Sequence, residues 1–282
     1  MAANPRIAIV GPGNLGTALA LELHRAGFPI AAIISRSSSR RKARALAKSV
    51  GSIALLNPSE IDADLLWFCV PDSEIAQAAR QCTSSSRAKP RFAFHSSGAL
   101  SSDELAVLRR GGFAVASVHP LMTFVPGSRP ALAGVPFAIE GDAAATRLAR
   151  RIVHALGGDS YLIRKQDKAA YHAWGTFASP LFTALLATTE RVAATAGVKR
   201  AEIRRRMIPI LLQTLANYAR YGAPGAFSGP IVRGDIETVK KHLRVLRFQP
   251  AARQVYTALA RAALQYLPVG NKTSLRSVLN SR

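Results

Sequence analysis

Four short stretches carry side chains able to move a proton or hold an anion. His95-Ser96-Ser97-Gly98 and His119-Pro120-Leu121-Met122-Thr123-Phe124 each follow an apolar, strand-like run. A histidine at the carboxyl end of such a strand can polarise a carbonyl or exchange a proton with a substrate; the competing reading is a structural histidine satisfied in the core. The third stretch holds Lys168, Tyr171, His172, Gly175 and Ser179. At 3.6 residues per turn, Lys168, His172, Gly175 and Ser179 share one helical face, with Tyr171 beside them. Trp174, Phe177 and Leu181 fall on the other side. A polar face relieved by a glycine suits a substrate cleft, with Lys168 or His172 as proton donor; a solvent-facing stripe is the plainer alternative. The fourth stretch is "GPIVRGDIETVKKH", residues 229–242. Here Arg233 could clamp a carboxylate with two parallel hydrogen bonds. Asp235 reads as a helix N-cap, and Thr238 and His242 share a face of the helix that follows. With Ser97 and Ser179, these make the candidate substrate residues.

The elements that must position these groups are legible from period and punctuation. Strands are expected at Ile7–Val10, Ile30–Ser35, Ile53–Leu56, Leu65–Val70, Phe92–His95, Ala114–Val118 and Pro136–Glu140, with helices such as Leu15–Ala26 and Ser39–Lys48 between them. That alternation predicts an α/β fold with a doubly wound, mostly parallel sheet. After about Tyr161 the strands stop. Helices are expected over Lys168 to Ala196, interrupted near Ser179-Pro180, then over Ala201 to Tyr221, Ile236–Leu246 and Ala251–Tyr266. An all-α second domain is therefore expected over 161–282, after a first domain over 1–160.

The first strand runs into "IAIVGPGNLG". Gly11 permits a tight turn, Gly13 lets a pyrophosphate approach the backbone, and Gly16 lets the helix pack closely on the strand. With Asn14 and Leu15 opening the helix, free N–H groups face an anion. The turn predicts a dinucleotide site, a ligand-free bend being the alternative. The second strand ends in Ser35-Arg36-Ser37, where a site for NAD usually places a carboxylate. Arg36 can pair with a 2′-phosphate and the two serines can donate hydrogen bonds, so NADP is the expected cofactor. Val70-Pro71-Asp72 ends the fourth strand and is expected to run along the cofactor.

The bulk properties exclude several classes. Two cysteines, Cys69 and Cys82, cannot build a disulfide framework, and a reducing cytoplasm is expected. No secretory signal is read at the start, and the apolar run from Phe177 to Thr189 is too short to span a bilayer. The formal net charge of +22 raises nucleic acid as a partner. The basic residues are spread along the chain, however, and no zinc-finger or RNA-binding aromatic pattern accompanies them. A basic surface drawing anionic metabolites is the reading taken, and no metal site is expected.

The glycine turn, the "HSSG" segment, "SVHPLMTF", "DKAAYHAWGTFASP" and "GPIVRGDIETVKKHL" together resemble a bacterial family of Rossmann-like proteins. Its C-terminal domain has no assigned function and is grouped with the helical domains of the 6-phosphogluconate dehydrogenase C-terminal type. The resemblance spans essentially the whole chain and implies an NADP-dependent oxidoreductase. The first half is also similar to ketopantoate reductase, pyrroline-5-carboxylate reductase and deazaflavin-dependent NADP oxidoreductases. His119-Pro120 resembles the His-Pro element of prephenate dehydrogenases, which implies a catalytic His119. Lys168 stands where β-hydroxyacid dehydrogenases and ketopantoate reductases keep a catalytic lysine, with His172 where those families carry asparagine. The expected activity is hydride transfer to or from a small keto, hydroxy or imine substrate bearing a carboxylate. The alternative is a non-catalytic, nucleotide-responsive binding protein. Related helical domains pair to cover apolar faces such as Leu181, Phe182, Leu185, Leu186, Ile208, Leu211, Leu212 and Leu215, so a homodimer through the helical half is expected.

Overall fold

Strand β1 (Ile7–Val10) is apolar at every position because the sheet around it is covered on both faces. In the computed structural model, which describes residues 3–56, 62–83 and 92–280, Ile7 and Ile9 join one buried cluster with Leu19, Leu23 and Ile33. Ala8 and Val10 point the other way, into a second cluster with Leu66, Ile75 and Leu105. The remaining strands are β2 (Ile30–Ile34), β3 (Ile53–Leu55), β4 (Leu65–Phe68), β5 (Phe92–His95), β6 (Ala114–Pro120), β7 (Pro136–Gly141) and β8 (Asp159–Leu162). They pair in the order β3-β2-β1-β4-β5-β6-β7-β8. Every pairing is parallel except that of β6 with β7. Helices α1 (Asn14–Arg25), α2 (Arg40–Ser49), α3 (Ile75–Thr83), α4 (Ala106–Arg110) and α5 (Ala143–Ala155) connect the strands. This is the mostly parallel, doubly wound sheet expected. Its order reverses direction at β1 and β4, and the crevice outside the strand carboxyl ends there is where such sheets take ligands.

The sequence reading misses β8. Asp159-Ser160-Tyr161-Leu162 is half polar and forms the sheet edge, so it lacks the apolar run that marks the inner strands. The chain divides into two units after Thr176, not near residue 160. The earlier boundary follows from stopping at the last recognised strand. Strand β8 pairs with β7, and α6 (Lys168–Thr176) buries Lys168 and Tyr171, so both elements belong to the first unit.

The second unit, Phe177–Arg282, is helical. It opens with a π-helical segment, Phe177–Leu181, around Pro180, whose missing N–H cannot continue an α-helical ladder. Then follow α7 (Phe182–Thr195), α8 (Arg200–Ala226), α9 (Pro230–Arg233), α10 (Ile236–Leu246), α11 (Pro250–Tyr266) and α12 (Lys272–Asn280). Helix α8 runs past its expected end at Tyr221 through a break at Gly222, whose φ is +67°. Val239, Ala260, Leu264, Leu275 and Leu279 form the core shared by α10, α11 and α12. Among the described residues, no helix is long and apolar enough to cross a membrane.

Candidate functional site

The glycine turn has the geometry its three glycines predict. Gly11 has φ +105°, and a Cβ on it would lie 2.7 Å from the Cys69 carbonyl oxygen. A Cβ on Gly16 would lie 2.0 Å from the Gly11 carbonyl oxygen, so α1 packs directly on its own turn. Gly13 caps α1 with extended backbone and no side-chain cap, and its missing Cβ would find only the Cys69 oxygen, at 3.9 Å. The first-turn N–H groups of α1 thus face open space, a cradle for an anion. Asn14 donates to the Phe124 carbonyl at 3.1 Å and Leu15 packs on the core, so their side chains build the turn.

Beside the turn lies a cavity of about 680 Å³, whose lining includes Gly11, Gly13, Ser35, Arg36, Ser37 and Lys42. Val70 and Pro71 close its other side. The Ser35 hydroxyl is buried and has no hydrogen-bond partner among the described residues. Arg36 reaches Glu74 at 2.8 Å from an exposed position. A glycine-built cradle, an orphaned hydroxyl and two cations fit a phosphorylated dinucleotide. Asp72 accepts a hydrogen bond from the Ser97 hydroxyl at 2.8 Å.

The second half of the site is a polar row crossing three strands. His95 pairs with Ser117, and Ser117 pairs with Glu140, so the three side chains lie on one face of the sheet. All three are buried. Lys168 enters this row from the first turn of α6 and is itself only 1% exposed. Its ammonium donates to the Ser117 hydroxyl at 2.6 Å and the Ser97 carbonyl at 2.9 Å. Among the described residues its third hydrogen has no partner. Burial pulls Lys168 down to about 8, against the opposing influence of Glu140 and Asp72.

The two strand-end histidines differ. The His95 Nδ1 accepts from the Ser97 N–H at 3.1 Å, which leaves Nε2–H to donate to the Ser101 carbonyl at 2.9 Å. Both nitrogens are committed, and burial pushes His95 down to about 4. His95 is a structural histidine. Among the described residues His119 has only Nδ1 engaged, with the Tyr171 hydroxyl at 2.7 Å. Burial, helped by the Lys168 charge, lowers His119 to about 4, and burial raises the Tyr171 phenol well above its ordinary value. The His172 ring stands 6.3 Å from that of His119, edge to face, and is exposed. Gly98 admits both rings: a Cβ there would lie 2.7 Å from His172 Cδ2 and 2.8 Å from His119 Nε2.

The structure therefore brings Lys168, His119 and His172 together in the first unit. Ser97, expected to touch substrate, has its hydroxyl taken by Asp72 and by the N–H groups of Ala99 and Leu100; it offers the site its carbonyl. In the second unit Ser179 lies in the π-helical segment. Arg233 is exposed at the end of α9, ahead of the left-handed Gly234. Asp235 caps α10 by accepting from the Thr238 N–H at 3.0 Å, which holds its carboxyl below the usual range. His242 Nδ1 pairs with the Tyr256 hydroxyl at 3.1 Å. The sequence reading misses Ser117 and Glu140. A carboxylate inside the apolar strand "PFAIEG" was the available signal. Among the described residues, no group of three His, Cys, Asp or Glu side chains is placed to hold a metal ion.

Comparison with known proteins agrees with this architecture. Residues 2–120 match the Rossmann-like domain family, and residues 135–263 match a domain of unknown function, DUF2520. No curated protein matches the chain. Among solved structures, a "putative NADP oxidoreductase" from Bacteroides fragilis superposes with TM-score 0.77 at 23% identity, covering 92% of this chain and 97% of that one. A Thermotoga maritima protein gives 0.71 at 24% identity, covering 97% and 98%. A reductive aminase from Aspergillus terreus, solved with NADPH, gives 0.65 at 16% identity, covering 98% and 99%. These likenesses establish a shared fold. The chain is a Rossmann-like domain joined to a DUF2520 domain, as its glycine turn and its "GPIVRGDIETVKKHL" segment lead one to expect.

Proposed function

We propose that the chain is an NADP(H)-dependent oxidoreductase acting on a small keto, hydroxy or imine substrate that bears a carboxylate. The observation that carries the reading is the pairing, in one unit, of two features. One is a glycine-built cradle beside Ser35, Arg36 and Lys42; the other is a buried lysine, one of whose hydrogens has no partner among the described residues. NADPH bound in the cradle would supply the hydride. Arg36 would exchange its contact with Glu74 for a 2′-phosphate, a stronger charge-assisted partner. Lys168, held by Ser117 and the Ser97 carbonyl, donates the proton that a reduced carbonyl or imine requires, and takes it back in the reverse direction. His119 presents Nε2 to the space beside Gly98, while its Nδ1 shares a hydrogen bond with the Tyr171 hydroxyl that holds the ring in place. His172 is the second polar group at the same edge; within the helical unit, Arg233 is a candidate to pair with an anionic group. The names of the Bacteroides and Aspergillus proteins, an NADP oxidoreductase and a reductive aminase, support the redox reading. The helical unit is proposed to pair two copies.

Titrating NADPH and NADH by fluorescence against wild type and Arg36→Ala tests the cofactor half. NADPH should bind more tightly than NADH, and Arg36→Ala should weaken NADPH by about tenfold or more while sparing NADH, as loss of a charge-assisted pair does. Equal affinities in wild type would reject it. NADPH consumption with a panel of 2-keto acids, alone and with amines, then tests the substrate class.

A further inference from the structure

Burying an ammonium is costly unless an opposite charge lies close. Lys168 is buried, yet both groups that receive its hydrogens, the Ser97 carbonyl and the Ser117 hydroxyl, are neutral. The charge that answers it must come from a neighbouring element. The titratable groups that act electrostatically on Lys168 lie on several elements. Strand β5 offers His95 and the end of β6 offers His119; burial keeps both neutral at physiological pH. Helix α6 itself carries Tyr171, a phenol that stays protonated, and the exposed His172. The turn after β4 offers Asp72, which is exposed and screened by water. Strand β7 offers Glu140, only 5% exposed.

Glu140 is held for this purpose by geometry that the proposed chemistry does not otherwise use. It pairs with Ser117, whose hydroxyl is the acceptor for Lys168, and its side chain lies on the same face of the sheet. Its two oxygens accept from the Ser102 N–H and, at 3.0 Å, from the Ser102 hydroxyl. The Ser102 hydroxyl also accepts from Arg109 at 3.2 Å, and Arg109 is anchored on Asp142 at 3.1 Å and Asp103 at 3.0 Å. Asp103 in turn receives Lys165, three residues before Lys168. The start of α6 and the Glu140 carboxylate are thus tied to one network.

We propose that Glu140 is a positioning residue for the reaction: it is the buried countercharge that keeps the Lys168 ammonium protonated and aimed along Ser117. The proposal rests on the reading of Lys168 as the proton donor. Asp72 plays the lesser part, because water screens it.

Lysine titration by NMR tests this on the full-length, ligand-free protein labelled at lysine Cε, with the Lys168 signal assigned by its loss in Lys168→Arg. The wild-type midpoint is expected near 8. Glu140→Gln should lower it by about one pH unit or more, the usual effect of removing a close opposite charge, and Glu140→Asp should restore most of the difference. Asp72→Asn should lower it by less. A wild-type midpoint near 10.5 would reject Lys168 as a poised donor, and Glu140 with it. A midpoint near 8 that Glu140→Gln leaves in place would reject Glu140 alone. Should Glu140→Gln fail to fold, Asp72→Asn decides: a full-unit fall there overturns the proposal, and a small one supports it.

Discussion

His95 and His119 end neighbouring strands and look equivalent in the sequence. What separates them is how many ring nitrogens are committed: two in His95, one in His119. Burial makes protonation of His95 costly, and this has a consequence for stability. His95 has a folded value of about 4 against an ordinary 6.5. The unfolded chain therefore binds the proton first as pH falls. The stabilisation is complete above pH 6.5 and is lost as pH drops through 6.5 towards 4, by about 3 kcal/mol for a shift of this size. Urea unfolding at pH 7 and pH 4 measures the loss in wild type. In His95→Gln, which cannot protonate, the loss between the two pH values should shrink by about that amount; an unchanged loss would mean that His95 is not the group responsible. Lysine 168 is legible in the sequence as a candidate, but its partners are not. Ser117 and Ser97 lie 51 and 71 residues away, and only strand pairing brings them to it.

At the scale of elements, three segments converge on one glycine. The turn after β5 brings Gly98 against His119 at the end of β6 and His172 on α6. The His172 ring is exposed and can rotate aside, but the His119 ring is tethered by Tyr171. Gly98→Ala must displace one or both rings, since a Cβ would sit under 3.0 Å from each. Overpacking of this kind costs about 1–3 kcal/mol of stability, a loss that Tm and urea midpoints would register. On the proposed chemistry, turnover should fall by about tenfold or more while NADPH affinity holds, because a misplacement near 1 Å is enough for such a loss. Wild-type turnover in a folded Gly98→Ala protein would remove the histidine pair from the mechanism. The elements themselves were readable wherever both faces of a strand are covered, as in β1 and β5. The edge strand β8 and the continuation of α8 beyond Tyr221 were not, because half-polar sequence and proline-rich punctuation hid them.

At the scale of the whole molecule, the second unit leaves apolar surface exposed. Among the 27 residues of α8 only Ile203 is buried, while Ile208, Ile210, Leu212 and Leu215 are about half exposed or more. Exposed apolar side chains in this number on one helix suit an interface, and a second copy of the chain is the occupant proposed here. Light scattering at micromolar concentration should give twice the chain mass of 30.1 kDa. A value near 30.1 kDa would reject the dimer.

The sequence by itself determined strands β1 to β7, the glycine turn and the residue types at the strand ends. Each of these is a local pattern: a period, a spacing or a punctuating glycine. It also placed Lys168 and His172 on one helical face, since helix geometry alone does that. Only the tertiary structure decided which groups are free to act. Whether a hydroxyl, ring nitrogen or ammonium is spent depends on partners supplied by other strands. Ser97 and Asp72 spend theirs on each other, His95 spends both of its ring nitrogens, and Lys168 keeps one hydrogen unspent. Those partners are set by the register between β5, β6 and β7, which no stretch of sequence contains by itself.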